Sequence, residues 1–440
     1  MIAARNRHML HLIIRASCSV LLAVTLHAQG ATTPPPVDTC SGDRWPGFRG
    51  IGTSHTAAAD LPTTWGADEN IAWTVPLPGH GQSSPVIFGG RVFVTSIEGA
   101  NKERCQVACY RLADGYLLWS RGFQASTTTK NSKMTSRGAP TPVVDQDRVY
   151  AFFEGGDLLA LDHQGQTAWR RSFVDEMGGT YKGGHGFGGS LVGAEGGVVL
   201  SLDHNGPSFV TFINGEDGDV RWSTPRTSRV SWSTPAASPR HGEVIVSSNG
   251  SVDGYALADG AQRWTVGDIT GNTVPSPMIA GDWIIIGASK GDNVALRRNA
   301  DGVSLAWKAS RARPSSFASP VVFRSDVLIV NKAGVLYCVG LNDGELRYKQ
   351  RLSESCWASP VVAKDLVYAF GKSGKTTVLR PGEDAAEVVA ENELPTDGTV
   401  YGVAVVNGAF VIREGERLLC IRRADTAAEQ TDPREDDGSE

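Results

Sequence analysis

Ser319-Pro320-Val321-Val322, a polar turn at Arg324-Ser325, the apolar run Val327-Leu328-Ile329-Val330, a glycine turn at Ala333-Gly334, the run Val335-Leu336-Tyr337-Cys338-Val339, then Asn342-Asp343-Gly344 and Tyr348: this stretch decides the fold. The phrase recurs along the chain. Its other openings are Ser84-Pro85-Val86-Ile87, Thr141-Pro142-Val143-Val144, Ser190-Leu191-Val192, Thr234-Pro235-Ala236, Ser276-Pro277-Met278-Ile279, Ser359-Pro360-Val361-Val362 and Val403-Ala404-Val405-Val406. That makes eight units, spaced 57, 49, 44, 42, 43, 40 and 44 residues apart. A period of about 40–45 residues is that of a four-stranded propeller blade. Each unit is therefore read as strands A to D, with A innermost.

Aromatic residues close the units in phase with the openings: Trp119, Trp169, Trp222, Trp264, Trp307 and Tyr348, with the apolar pair Val388-Val389 in the seventh. Ala113-Asp114-Gly115, Ala258-Asp259-Gly260 and Asn342-Asp343-Gly344 precede three of them, and Asp-Gly supplies the positive φ of a tight hairpin. The eighth unit stops after Arg417-Leu418-Leu419-Cys420-Ile421 and lacks a fourth strand. Asn70-Ile71-Ala72-Trp73-Thr74-Val75, standing before the first opening, is expected to supply it. Such pairing closes the ring and removes its exposed edges. The predicted fold is all-β: an eight-bladed β-propeller of four-stranded antiparallel blades, the last closed by the N-terminal strand.

Composition agrees with this reading. Of 440 residues, 51 are Gly and 11 are Trp, and 20% are charged. Glycine near 12%, against about 7% in an average protein, means many turns and excludes a helical bundle. Charge is unevenly placed: +3 over residues 1–28, −6 over Asp425–Glu440, and −2 over the body between them. No basic stripe exists to neutralise phosphates, so nucleic acid is excluded as a partner.

Arg5, Arg7 and Arg15 followed by the apolar run Ala16–Leu26 and Ala28 read as an export signal over 1–28. The run is too short to span a bilayer, which takes about 20 apolar residues. Residues 29–44, with Pro34-Pro35-Pro36, are expected to be a flexible tether, 45–424 the propeller, and 425–440 a disordered acidic tail. Six cysteines remain beyond the signal. Cys109, Cys338 and Cys420 take one and the same place in their units, a place Ala160 and Ala295 also fill. They are read as small buried apolar residues.

The Gly-x-x-x-Trp endings at Gly115–Trp119, Gly165–Trp169, Gly218–Trp222 and Gly260–Trp264 resemble those of the pyrroloquinoline quinone (PQQ)-like β-propeller repeat family. Trp45-Pro46-Gly47-Phe48-Arg49-Gly50, Leu61-Pro62 and Asn70–Trp73 are similar to the segment that opens exported members. The resemblance runs from Trp45 to Ile421. It implies one of two functions: a quinoprotein dehydrogenase, or a smaller propeller of the BamB type that binds no quinone. This chain has no adjacent cysteines to form the dehydrogenases' disulfide ring and no Cys-x-x-Cys-His haem motif. No segment offers an acidic calcium cluster.

Ala369-Phe370-Gly371-Lys372-Ser373-Gly374-Lys375-Thr376 satisfies a loose nucleotide-binding pattern. Phosphate binding needs a helix N-terminus after the loop. Here a β-branched strand follows, so Lys372–Gly374 is read as an ordinary turn.

The residues just before each strand A are expected at one mouth of the central channel. They include His80, Gln82, Lys133, Arg137, His185, Phe187, Arg229, Trp232, Asn272, Trp357 and Tyr401. Histidines can serve as bases, arginines can clamp a carboxylate and aromatics can stack on a ring. The same residues also serve simply to solvate the mouth and brace neighbouring blades. No hydrolase or metal motif accompanies them.

These readings lead to an exported, monomeric, non-catalytic scaffold or interaction module of the BamB type, without catalytic residues, metal or cofactor, whose partners are other envelope or secreted proteins. The alternative is a PQQ- and calcium-dependent dehydrogenase of alcohols or sugars, with the quinone at the channel mouth.

Overall fold

The computed structural model describes residues 34–133, 135–309, 316–396 and 398–424. The expected export signal, its junction up to residue 33 and the acidic tail lie outside them. Eight antiparallel sheets follow one another as blades 1 (86–124), 2 (143–172), 3 (192–226), 4 (236–269), 5 (278–308), 6 (321–351), 7 (361–393) and 8 (400–422). Among the described residues helix is confined to single turns at Arg49–Gly52 and Pro239–His241. No helix there is long and apolar enough to cross a membrane.

Each blade packs face to face between its neighbours, so strands A to C are mostly buried on both faces and read as near-continuous apolar runs, strand A of blade 3 being the exception. In blade 6, Val321–Phe323 and Val327–Val330 are buried throughout, whereas strand D, Leu346–Arg351, alternates at the rim. Val321, Leu328 and Leu336 of blade 6 share one core with Val362, Val367 and Leu379 of blade 7. The hydrophobic interior is thus a set of seams between blades.

A one-residue register shift interrupts the C–D ladder of every blade beside the closing position. The bulge re-aims the aromatic at the next blade. Trp119 Nε1–H donates to the His163 carbonyl of blade 2 at 2.9 Å, and Trp169, Trp222 and Trp307 do the same one blade on. Opposite the closing aromatic in strand C lie Cys109, Ala160, Ala295, Cys338 and Cys420 in five blades, whereas Phe212 stands opposite Trp222 in blade 3. All six described cysteines are free and buried, and burial pushes the Cys109, Cys338 and Cys420 thiols up to about 12. In blade 7 the register puts Ala390, one residue beyond Val388-Val389, at the closing position. Trp264 is the other departure: its Nε1–H turns back onto Glu243 of its own blade at 2.9 Å.

Closure follows the sequence expectation. Ile71–Pro76 forms the fourth strand of blade 8, with Trp73 opposite Cys420 and Thr74 opposite Leu419. Arg413 fastens the same seam. It is fully buried and donates to the Ser83 hydroxyl and Thr95 carbonyl at 2.5 Å each and to the Ser96 hydroxyl at 3.0 Å.

Residues 34–44 are packed along the ring. Pro35 and Pro36 lie against Gly281, Val37 joins the blade 5 and 6 core, and Cys40 N–H donates to His55 O at 2.9 Å. Apolar side chains in this segment give it a surface to bury, which a solvated tether lacks. From there the chain runs across the inner strands. Trp45 exchanges two backbone hydrogen bonds with Ile87 of blade 1 at 2.8 Å, and His55–Thr56 adds in parallel to Val362–Ala363 of blade 7. Arg49 reaches the far side, donating to the Pro277 carbonyl at 3.1 Å and the Pro320 carbonyl at 2.9 Å.

Candidate functional site

The loops that enter strand A lie at one end of the inner strands, and they carry the eleven residues singled out from sequence. Strand A begins with a hydroxyl in seven blades, and these hydroxyls form a belt around the channel. Ser84 N–H donates to Thr141 Oγ1, Thr141 N–H to Ser190, Ser190 to Thr234, Thr234 to Ser276, Ser276 to Ser319 and Ser319 to Ser359, all at 2.9–3.0 Å. Gly402 stands at the eighth place, where a side chain would collide with Ser84.

Outside the belt the eleven residues divide by what holds them. Phe187 is 1% exposed and packs edge-on against Phe152, with centroids 5.2 Å apart, and against Tyr181. Asn272 is 0% exposed, and its amide donates to Ser247 Oγ, Ser248 O and Ser251 O at 2.9–3.0 Å. Neither presents a face to the channel. Gln82 and Arg137 are half-buried and brace two loops: Arg137 N–H donates to Gln82 Oε1 at 2.9 Å, and Gln82 N–H to Arg137 O at 3.0 Å. Arg229 pairs with Asp253 at 3.1 Å. Burial, then the guanidinium groups of Arg137 and Arg413, push His80 down to about 4. Glu416 lies 3.6 Å from its Nδ1 but is 71% exposed, where water screens it.

The remaining residues are accessible in two groups. Lys133 and His185 are exposed; the His185 ring leans on Trp232 at 5.7 Å, and Trp232 Nε1–H donates to Gly186 O at 2.7 Å. Across blades 6, 7 and 8, Trp357 touches both Phe317 and Tyr401, with centroids 5.8 and 6.0 Å away. Phe317 is 37% and Trp357 39% exposed. Lys332 Nζ stands 3.9 Å over the Phe317 ring, a cation–π contact.

Sequence reasoning passed over the charges beneath this face. Arg226 is buried and forks onto Asp203 at 2.9 and 3.1 Å, with Asp253 at 3.1 Å. Lys102 Nζ meets Glu154 at 3.0 Å, and both oxygens of Glu154 accept from Gly138 N–H at 3.1 Å. Their spacing of 23 to 52 residues gave no local signal. Among the described residues no three His, Cys, Asp or Glu side chains converge as a metal set would require. Calcium takes six to eight oxygens, and the buried carboxylates here already hold a lysine or arginine. These residues therefore do not fit a resident calcium ion.

The loop at Lys372–Gly374 joins strands B and C of blade 7, as expected. Its amides at Ser373 and Lys375 donate to the Glu354 carboxylate, at 2.6 and 3.3 Å. A carboxylate of the chain fills the place a phosphate would need.

The family model described as outer membrane protein assembly factor BamB matches residues 54–181 and 162–425. The chain belongs to this family. It is 26% identical over 295 residues to the BamB of Moranella endobia (strain PCIT), covering 65% of this chain and 66% of that one. It is also 23% identical over 381 residues to a polyvinylalcohol dehydrogenase of a Pseudomonas species, covering 72% of this chain and 53% of the relative. The chain thus spans between half and two thirds of the curated relatives it matches. Among solved structures, BamB of Moraxella catarrhalis superposes with a TM-score of 0.60 at 12% identity, covering 80% of this chain and 96% of that one. That likeness is one of fold.

Proposed function

We propose that this chain is an exported, non-catalytic interaction ring of the outer-membrane assembly-factor type. Its docking face is the channel mouth, its partners are envelope proteins, and the ring acts as a monomer. The observation that carries this reading is the Phe317, Trp357 and Tyr401 trio, presented on three adjacent blades with two of its rings more than one third exposed. Exposed aromatics on a rigid frame are the anchors of protein interfaces. Lys133, His185 and Lys332 supply a polar, cationic rim. At the same face Arg226, Arg229, Asp203 and Asp253, the kinds of group a quinone would need, are engaged with one another in bracing the blades.

Complementation tests the proposal. In a Gram-negative host lacking its own BamB, the full chain is expected to restore outer-membrane barrel levels, and Trp357→Ala with Phe317→Ala to abolish that rescue while leaving the protein folded. Purified protein is also titrated with PQQ and Ca²⁺. Stoichiometric binding with a shifted quinone absorbance, together with alcohol-driven dye reduction, would establish the dehydrogenase alternative instead.

A further inference from the structure

At the other end of the inner strands lies a cavity of about 1620 Å³, above the roughly 300–1,000 Å³ of small-molecule pockets. Its inner limit is the hydroxyl belt at Thr234 and Ser276, and one wall is the chain's own segment Pro46–Thr53. The opposite wall is strand A of blade 3, Val192–Ala194, and of blade 4, Ala236–Ser238. None of the eleven mouth residues lines it.

Three other inner strands show how this wall is used. Blades 1, 2 and 7 each take a piece of the N-terminal segment: Ile87 pairs with Trp45, Val144 N–H donates to Pro46 O at 2.8 Å, and Val362 N–H donates to Ser54 O at 2.9 Å. On blades 5 and 6, Arg49 and His55 reach the carbonyls of Pro277, Pro320 and Val322. Blades 3 and 4 have nothing equivalent among the described residues. Their strands A end the sheet with no partner on the inner edge. Val192–Ala194 is correspondingly the one strand A with no fully buried residue, and Gly193 is exposed.

We infer that this cavity binds an extended cationic peptide segment of a partner polypeptide, added as a strand to the inner edge of blades 3 and 4. Main-chain hydrogen bonds supply the affinity in such strand addition, and side-chain pockets supply the choice of sequence. The wall is built of Gly193, Ala194, Ala236 and Ala237, which leaves room for large incoming side chains. Acids lining the cavity outnumber arginines six to four, and Arg49 is already bound to carbonyls. Asp147, Glu195 and Glu216 are exposed at its rim, so a peptide carrying lysine or arginine is favoured.

The inference stands apart from the mouth-face reading, because it concerns the opposite end of the channel. The probe is a fluorescein-labelled hexapeptide of alternating lysine and valine, titrated into the full chain by fluorescence polarisation. Saturable binding is expected. It should weaken by at least about tenfold when glutamate replaces lysine, when the peptide backbone is N-methylated, and in the Glu195→Lys, Glu216→Lys double variant. A benzophenone-bearing version should crosslink within 191–197 or 235–240. No saturable binding up to about 1 mM, or binding indifferent to N-methylation and to peptide charge, overturns the proposal. Crosslinks at Trp357 overturn it too. The peptide controls use the native chain, so they decide even if the double variant fails to fold. Trp357→Ala should leave this binding unchanged, which separates its failure from failure of the docking face.

Discussion

The backbone N–H of Ser84 donates to the hydroxyl of Thr141 at 3.0 Å, joining blade 1 to blade 2 through residues 57 positions apart. Five more links of the same kind run on to Ser359, so that the five residues between Ser84 and Ser359 are each both donor and acceptor around the channel. A belt made of side-chain oxygens and main-chain amides needs a hydroxyl at each of the six accepting places, so Ser and Thr interchange there and other residues do not. Ser276→Ala is expected to leave the buried Thr234 N–H without a partner and to cost about 1–3 kcal/mol. Ser276→Thr should cost far less. Urea unfolding of the two variants checks the difference, and equal midpoints would remove the belt's energetic role.

The Gly-x-x-x-Trp ending is explained across the seam. Gly165 has φ +82°, and a Cβ there would lie 2.6 Å from Cδ2 of Trp119, which docks from blade 1. Gly302 has φ +121° but nothing within 4 Å, because Trp264 has turned onto Glu243. Gly302→Ala thus meets backbone strain alone, about 1–2 kcal/mol, whereas Gly165→Ala also displaces an indole. Thermal melts should rank Gly165→Ala clearly below Gly302→Ala. The reverse order would mean that Trp119 yields without cost.

Those two glycines also show what the sequence displays and what it hides. Apolar strand openings recur eight times, and Asp-Gly turns and closing tryptophans in most units, so blade number, strand order and the closing strand at Trp73 were all legible. The place before strand A fixes which end of the channel a residue occupies, but not which way its side chain turns. Gly186, with φ +72°, redirects the chain so that Phe187 enters the core against Phe152 while neighbouring His185 stays outside. Asn272 is drawn inward by carbonyls of strands B and C. The cavity had no signal of its own, because it is what remains once Trp45–Thr56 has chosen its path over the inner strands.

Burial separates two residues that the sequence grouped together. Phe187→Ala removes a wholly buried ring and is expected to cost about 3–5 kcal/mol. Lys133→Ala, at an exposed position, should stay within about 0.5 kcal/mol of the parent. Guanidinium unfolding followed by tryptophan fluorescence measures both. A tolerant Phe187 would return it to the channel mouth.

Acid should loosen the mouth through histidine. His80 is held at about 4, below its ordinary value near 6.5, and burial also lowers His55 and His204. In the interval between the folded and unfolded values the unfolded chain binds more protons, so stability rises with pH there. The contribution is complete above about pH 6.5 and is lost as pH falls toward 4. His80→Gln should flatten that part of the stability profile. Direct titration of the His80 ring by NMR checks the cause, and a midpoint near 6.5 would contradict it.

Arg413 carries the heaviest single load at the closing seam. It belongs to blade 8, yet its guanidinium is bound by Ser83, Thr95 and Ser96 of the blade 1 region, with no acid among the partners. Burial pushes it down to about 9, so it remains charged at neutral pH and depends on those oxygens for solvation. Lysine offers a point charge in place of a planar fork and cannot meet them at the same angles. Arg413→Lys and Arg413→Met are each expected to cost at least about 2 kcal/mol, the worth of one or two hydrogen bonds to a charged group. The loss should be local first. Amide exchange ought to quicken in Trp73–Val75 and Leu418–Ile421, the two strands that close the ring, before it quickens in blades 3 to 6. Uniform acceleration around the propeller, or an unchanged midpoint, would show that the seam is held by strand pairing alone and that Arg413 merely occupies it.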